Sequence, residues 1–267
     1  MKIHVSIVDY FKASRVLDVL KCLEEQTIYN KLSITLVDNS VCERNFNTLL
    51  SVAKKNSKLM LVRQKKNVGY VSATNFSVDS SADFVVLLNP DVLLKDHSLI
   101  EECVNEMLGN NRVGVMGIRQ VTDAGKSECV ARAYPTVTAQ VARRFPLVNS
   151  LIRPPENFDQ INELGSGVHV VDWVQSSFWV VRGELWRQLE GLNEFFYLFM
   201  AEPEFSKRAS ALGYSTVLNC NVCGISDGIR ASAVSFKSAF TSRSLRKHVR
   251  DSVVYYFFVG RYKLFGF

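Results

Sequence analysis

Carboxylates and amides recur at the ends of apolar runs in this chain. Phe84 to Leu88 is an unbroken apolar run, followed by Asn89-Pro90-Asp91. Such a run, rich in aromatic and β-branched residues, suits a strand buried on both faces of a parallel sheet. Proline cannot donate to a ladder, so the strand stops there. Asp91 then stands at its carboxyl end, where open α/β sheets bind ligands. A carboxylate so placed can hold a divalent cation, and the cation can hold a pyrophosphate. Residues 34–38 repeat the pattern, with Asp38 at the tip and Asn39-Ser40 as turn residues. Asn67 and Asn75 bracket a polar stretch that leads into a short helix. Glu202 and Glu204 flank Pro203 at the start of another helix, with Gly213 at its far end. The helix dipole favours ionised acids in a first turn, and one that faces a cleft can act as a general base. Taken singly, each of these groups is a loop or helix cap. As a set, Asp38, Asn67 and Asp91 favour one site across neighbouring strand tips.

The elements that must position them alternate. Residues 3–8 predict a strand, and Val16, Val19, Leu20 and Leu23 recur at helical spacing after Ser14 as N-cap. A helix over 46–54, a strand over 59–62, a helix over 99–108 and a strand over 113–117 follow. Strands alternating with helices predict an α/β domain with a mostly parallel sheet and right-handed crossovers. No Gly-x-Gly-x-x-Gly follows the first strand, which argues against a dinucleotide dehydrogenase. Residues 119–170 hold Pro135, Pro146, Pro154, Pro155 and the pair Arg143-Arg144, and predict irregular structure. Residues 170–174 and 178–181 are strand-like, and 183–189 suit a short helix.

At 267 residues and 47% hydrophobic, the chain can build a large core. Its six cysteines are scattered, and Cys220 and Cys223 form a lone pair without a zinc-spaced partner set. Lys2 and His4 interrupt the apolar start, so reduced cytosolic thiols are expected rather than a secretory leader. From Lys237 onward seven Lys or Arg face one acid, so this end carries the whole net charge of +6. A basic end suits a polyanionic surface. No nucleic-acid-binding motif accompanies it, which leaves anionic lipid. The apolar run 253–259 is far short of the ~20 residues that span a bilayer. It suits either an interfacial segment or an ordinary element packed on the body.

Together these motifs resemble glycosyltransferase family 2, whose fold is GT-A, and within it the bacterial rhamnosyltransferase-like enzymes of surface-polysaccharide assembly. The resemblance runs from Val5 to about Arg208. Val37-Asp38-Asn39-Ser40 is similar to the family's strand-end acid on the base or ribose, and Asn67 to Asn75 to its Asn-x-Gly…Asn segment. Leu88-Asn89-Pro90-Asp91 resembles its metal-binding element, with Asp91 as the ligand of Mg²⁺ or Mn²⁺. Asp172-Trp173-Val174-Gln175-Ser176 resembles its donor-side strand. Ala201-Glu202-Pro203-Glu204-Phe205 takes the place of Glu-Asp-x-Asp-Leu, with Glu202 as the base. Two departures stand out. Ala201 replaces an acid, and the histidine usual about twenty residues after this helix is absent, with Asp227 or Arg230 as substitutes.

The resemblance implies an inverting glycosyltransferase that moves L-rhamnose from dTDP-rhamnose, or a hexose from a UDP-sugar, onto a glycan acceptor, polyprenyl-diphosphate-linked in O-antigen or capsule assembly. It implies a nucleotide-sugar-binding half over 1–118, an acceptor and catalytic half over 119–236, and a basic aromatic segment over 237–267. Glu202 would be catalytic. Asp38, Asn67, Asn75, Asn89, Asp91, Trp173, Ser176, Glu204 and Arg230 would line the donor site. The place of action would be the cytoplasm, peripheral on the inner membrane. The opposing expectation is a binding homologue with impaired catalysis, motivated by Ala201 and the absent histidine.

Overall fold

The computed structural model of the chain describes residues 1–136, 164–228 and 243–265. In β4 (Phe84–Leu88) every residue is buried, and the pleat sends alternate side chains to opposite faces. Phe84, Val86 and Leu88 join a core with α1 (Ala13–Glu24), α2 (Glu43–Ala53) and α4 (Leu99–Gly109). Val85 and Leu87 join a second core with α3 (Tyr70–Ser77), α5 (Gly183–Gln188) and α6 (Ala201–Ala211). Full burial of one such side chain contributes about 1.5–3 kcal/mol, which explains why an uninterrupted apolar run occupies the middle of the sheet.

Among the described residues the main sheet has eight strands, in the order β3-β2-β1-β4-β9-β5-β10-β7. β1 (Ile3–Asp9) pairs in parallel with β2 (Leu32–Asp38) and β4, and β2 with β3 (Leu59–Arg63). β5 (Val113–Thr122) pairs in parallel with β10 (Ser215–Ser226). β7 (Val168–Val171) and β9 (Phe178–Arg182) run against the rest. The α/β fold with a mostly parallel sheet is therefore as expected.

β9 lies between β4 and β5, and its antiparallel course has a consequence for the site. Phe178 pairs with Leu88, so the start of β9, with Ser176 and Ser177 just before it, meets the carboxyl end of β4. Asn89 N–H donates to the Ser177 carbonyl at 2.8 Å. Where β9 turns into α5, a Cβ on Gly183 would lie 1.9 Å from the Ala82 carbonyl oxygen, so only glycine fits.

Several expected boundaries move. The strand expected over 170–174 divides at Asp172: β7 edges the main sheet, and β8 (Trp173–Val174) pairs with β6 (Ala131–Arg132). β5 extends to Thr122, into the stretch expected to be irregular. α6 begins at Ala201, so Pro203 is its third residue, still among the N–H groups that lack an intrahelical acceptor. The expectations for Arg143-Arg144 and Arg230 lie outside the described residues.

The basic C-terminal segment is a helix, α7 (Arg243–Phe265), and one side of it packs on the body. Tyr255 is buried, and the Phe258 ring lies 5.4 Å from Phe195 and 6.2 Å from Phe196. Fully buried Asp251 accepts backbone N–H groups from Tyr197 at 3.2 Å, Leu198 at 3.0 Å and Phe199 at 2.9 Å. Those residues lead directly into α6. Removing an acceptor leaves buried donors unsatisfied at roughly 1–3 kcal/mol. Asp251→Ala should therefore lower the urea unfolding free energy by about 3 kcal/mol, whereas Arg250→Ala, at an exposed position, should change it by less than about 1 kcal/mol.

Candidate functional site

The parallel register sets Asp9 beside Asp38 at the carboxyl ends of β1 and β2. Both are fully buried. Asn45, from α2, donates to Asp9 Oδ2 at 2.6 Å and to Asp38 Oδ1 at 3.1 Å. Asp38 Oδ1 also receives the Ser40 N–H and hydroxyl, at 3.0 and 2.5 Å. Asp38 Oδ2 is buried and receives no hydrogen bond. Buried acceptors are normally satisfied; this oxygen keeps its acceptor capacity unused, enclosed by the protein at the strand tip. Burial pushes the Asp9 carboxyl above the usual range, against the Asn45 hydrogen bond.

The expected amides form the next part of the rim. Asn67 Oδ1 accepts from Asn39 Nδ2 at 3.1 Å, Gly69 N–H at 2.9 Å and the Tyr197 hydroxyl at 2.7 Å. Gly69, at φ +88°, lets the Tyr197 carbonyl approach the start of α3, and a Cβ there would sit 2.7 Å from that oxygen. Asn75 faces another way. It pairs with both backbone groups of Leu192, at 2.7 and 2.9 Å, and fastens the turn before α6.

Asp91 stands past the tip of β4. Leu93 and Ile225 exchange backbone hydrogen bonds at 2.7 and 2.9 Å, tying this loop to the end of β10. That brings Asp227 opposite Asp91. Between them lies Lys12, just beyond β1, whose ammonium pairs with Asp91 and, at 2.7 Å, with Asp227. Burial alone would lower the lysine pKa; its hydrogen bonds to Asp227 and Asp91 outweigh this and hold it above the usual lysine value. Among the described residues no group of three or more His, Cys, Asp or Glu side chains could hold a metal ion. A divalent ion at Asp91 would need the position the ammonium fills, so the residues present do not fit the metal site expected there.

Glu202 lies in the first turn of α6, half-buried. Ser176 Oγ donates to its Oε1 at 2.9 Å. Burial pushes the Glu202 carboxyl up, while the Ser176 hydrogen bonds and the Arg132 charge pull less strongly the other way. The Tyr70 hydroxyl donates to the Ser176 carbonyl at 3.3 Å, and burial raises the phenol well above its usual value. Asn89 and Ser176 flank the β4–β9 junction, so Asp38, Asp91 and Glu202 share one end of the sheet.

Asp38, Trp173, Ser176 and Glu204, all expected donor contacts, are buried, and Glu204 and Trp173 are held by partners within the body. Glu204 is fully buried and pairs with Arg208 Nε at 2.9 Å and Asn193 Nδ2 at 3.2 Å. Trp173 is buried, its indole N–H donating to the Ala133 carbonyl at 2.9 Å, with the Arg132 guanidinium 5.5 Å from its ring. Sequence reasoning missed Asp9 and Lys12. Asp9 carried a signal, a strand-end acid like Asp38. Lys12 carried none, because its partners are 79 and 215 residues away.

A family model described as "Glycosyl transferase family 2" matches residues 5–170. Among solved structures the chain is similar to a mannosyltransferase, PcManGT from Pyrobaculum calidifontis, in complex with GDP-Man and Mn²⁺, at 16% identity and TM-score 0.61, covering 93% of this chain and 64% of that one. It is also similar to S. aureus TarS (residues 1–349) in complex with UDP, at 14% identity and TM-score 0.54, covering 86% and 59%. The chain thus spans less than two thirds of either structure. No curated protein matches it. These likenesses establish the GT-A fold, and the family model, which covers more than half of the chain, establishes that it belongs to glycosyl transferase family 2.

Proposed function

We propose that this protein is an inverting glycosyltransferase that moves a sugar from a nucleotide-sugar donor to a hydroxyl of a glycan acceptor. The observation that carries the reading is the Ser176–Glu202 hydrogen bond. It holds a half-buried carboxylate of raised pKa at the sheet edge where Asp38 keeps an unsatisfied oxygen. Asp38 Oδ2 has the acceptor chemistry for an N–H of the base or an O–H of the ribose, and the residues that enclose it must move for a ligand to reach it. Glu202 takes the proton of the acceptor hydroxyl as its oxygen attacks the anomeric carbon. The bond from that carbon to the diphosphate oxygen breaks, its electron pair leaves with the nucleotide, and attack from the opposite face inverts the centre. The similar structures carry GDP-Man and UDP, which supports a nucleotide-linked donor. L-rhamnose from dTDP-rhamnose, or a hexose from a UDP-sugar, destined for bacterial surface polysaccharide, is the finer form of the proposal.

The impaired-catalysis reading loses one of its two supports at Ala201. That residue is fully buried in the core with Phe205 and Trp179, so an acid there would face apolar packing rather than the cleft.

The outer face of α7 suits an anionic membrane surface. Val249, Val253 and Phe257 form an exposed stripe at helical spacing, and Arg246 and Arg250 are exposed beside it. No described helix is long and apolar enough to cross a membrane.

Glu202→Gln should reduce transfer by at least ~100-fold, the usual scale of a general base, while nucleotide affinity measured by calorimetry stays near wild type. Retained turnover would remove Glu202 from the mechanism. Because the base works ionised and its pKa is raised, kcat should rise with pH through that raised value. Ser176→Ala removes a hydrogen bond to the ionised form, so the acid limb should move to still higher pH. The same raised pKa means the folded state holds a proton longer than the unfolded chain. Ionising Glu202 thus lowers stability as pH rises through that window, and Glu202→Gln should raise Tm at pH 8 relative to wild type. For α7, Val253→Asp with Phe257→Asp should abolish flotation with anionic liposomes and leave Tm nearly unchanged.

A further inference from the structure

Asp91 and Asp227 approach each other from two loops that the Leu93–Ile225 bridge joins. Two carboxylates that close are relieved either by a shared proton or by a cation, and here a cation lies between them. The chain supplies it from a third element, since Lys12 follows β1 and immediately precedes α1. Phe11, at φ +63°, makes the turn that lifts the chain off the strand, and Lys12 N–H is pinned to Asp9 Oδ1 at 2.9 Å. The backbone of this lysine is thus held at both ends: by Asp9 on its N–H, and by the Arg15 and Val16 N–H groups on its carbonyl at 2.9 and 3.0 Å.

The side chain of Lys12 is 28% exposed, against 13% for Asp91 and 16% for Asp227. The lysine side chain is therefore the most exposed of the three. It has three N–H donors, and the two carboxylates use two of them. Helix α1 starts at the next residue, with no acid in its first turn and no side-chain cap. Its positive dipole end adds to the lysine charge on the same side.

We infer that Lys12 is the resident cation of the donor site, that its ammonium meets the donor's diphosphate directly, and that donor binding needs no divalent metal. This rests on the nucleotide-sugar reading above for the identity of the anion. Occupation of the Asp91–Asp227 position by the lysine does not depend on that reading.

The test has two arms. In the first, Mn²⁺ is titrated into nucleotide-free protein and followed by electron paramagnetic resonance. Wild type should take up no Mn²⁺ at sub-millimolar concentration. Lys12→Ala should bind one ion, and Lys12→Ala with Asp91→Asn should lose it. In the second, UDP, GDP and dTDP are titrated calorimetrically with EDTA or with Mn²⁺. Wild type should bind its nucleotide equally in both. Lys12→Ala should bind about tenfold more weakly or worse in EDTA and recover with Mn²⁺. Lys12→Arg, which keeps the cation without opening the site, should bind in EDTA. Wild type that takes up Mn²⁺ as tightly as Lys12→Ala, or nucleotide binding that requires Mn²⁺ in wild type and is indifferent to Lys12→Ala, would overturn the inference. If no nucleotide bound to any variant in either buffer, the donor reading would fail, and with it the diphosphate contact. The Mn²⁺ titration would still decide whether Lys12 holds the metal position.

Discussion

Crowding negative charge at one end of a sheet is the constraint to which the rest of the structure answers. Register alone places Asp9 beside Asp38, and two loops bring Asp91 to Asp227. Unit charges 4 Å apart repel by about 4 kcal/mol at an effective dielectric near 20. The chain relieves this in three ways. Asp9 and Asp38 share the amide of Asn45. Asp91 and Asp227 share Lys12. Among the described residues Glu202 receives the Ser176 hydroxyl. Burial outweighs that hydrogen bond and raises its proton affinity, as burial also does for Asp9 and Asp91. What separates Glu202 from Asp91 is the partner: a hydroxyl at Glu202 and an ammonium at Asp91.

Placement of Glu202 depends on the far end of the chain. Residues 197–199 precede α6, and their N–H groups end on Asp251 of α7. The Tyr197 carbonyl accepts the Tyr70 N–H at 2.9 Å, and its hydroxyl meets Asn67 at 2.7 Å. Lys247 of α7 lies 3.4 Å from the centre of the Tyr197 ring. One tyrosine therefore joins the nucleotide-side amides, the start of α3 and the C-terminal helix. The basic segment beyond residue 237, which the sequence presents as a separate tail, is through α7 part of the wall that sets the approach to α6. Its exposed stripe faces away from that wall, so packing and surface contact use opposite sides of one helix.

What the sequence revealed was local, and what it hid was long-range. The β4 run and its Asn89-Pro90-Asp91 stop were legible because burial on both faces leaves no polar break. Asp38 was legible as an acid after an apolar strand. β10 was not, because Asn219, Cys220, Asn221, Cys223 and Gly224 break its apolar pattern, and a register shift between Asn219 and Cys223 interrupts the ladder. The antiparallel course of β9 was not legible either, since a buried strand has the same composition in both directions. Glu202 and Glu204 look equivalent as first-turn acids. Only packing separates them, because one helix position lies at the cleft and the other points inward to Arg208.

The departures from the family's acidic pattern also resolve by geometry. Glu204 binds Arg208, which reaches the Leu189 and Gly191 carbonyls at 2.7 and 3.0 Å. Its charge holds the α5–α6 connection. Just past the end of β10, Asp227 adds a negative charge beside Asp91. It brings a second carboxylate up to Asp91, and Lys12 pairs with both. Alone, Lys12 facing Asp91 would be an ordinary ion pair with no reason to exclude a metal. Opposite both carboxylates it forms a bridge that a metal ion must break twice to enter. The aspartate and the lysine therefore have to be understood as one electrostatic unit, and the character of the donor site follows from the pair rather than from either residue.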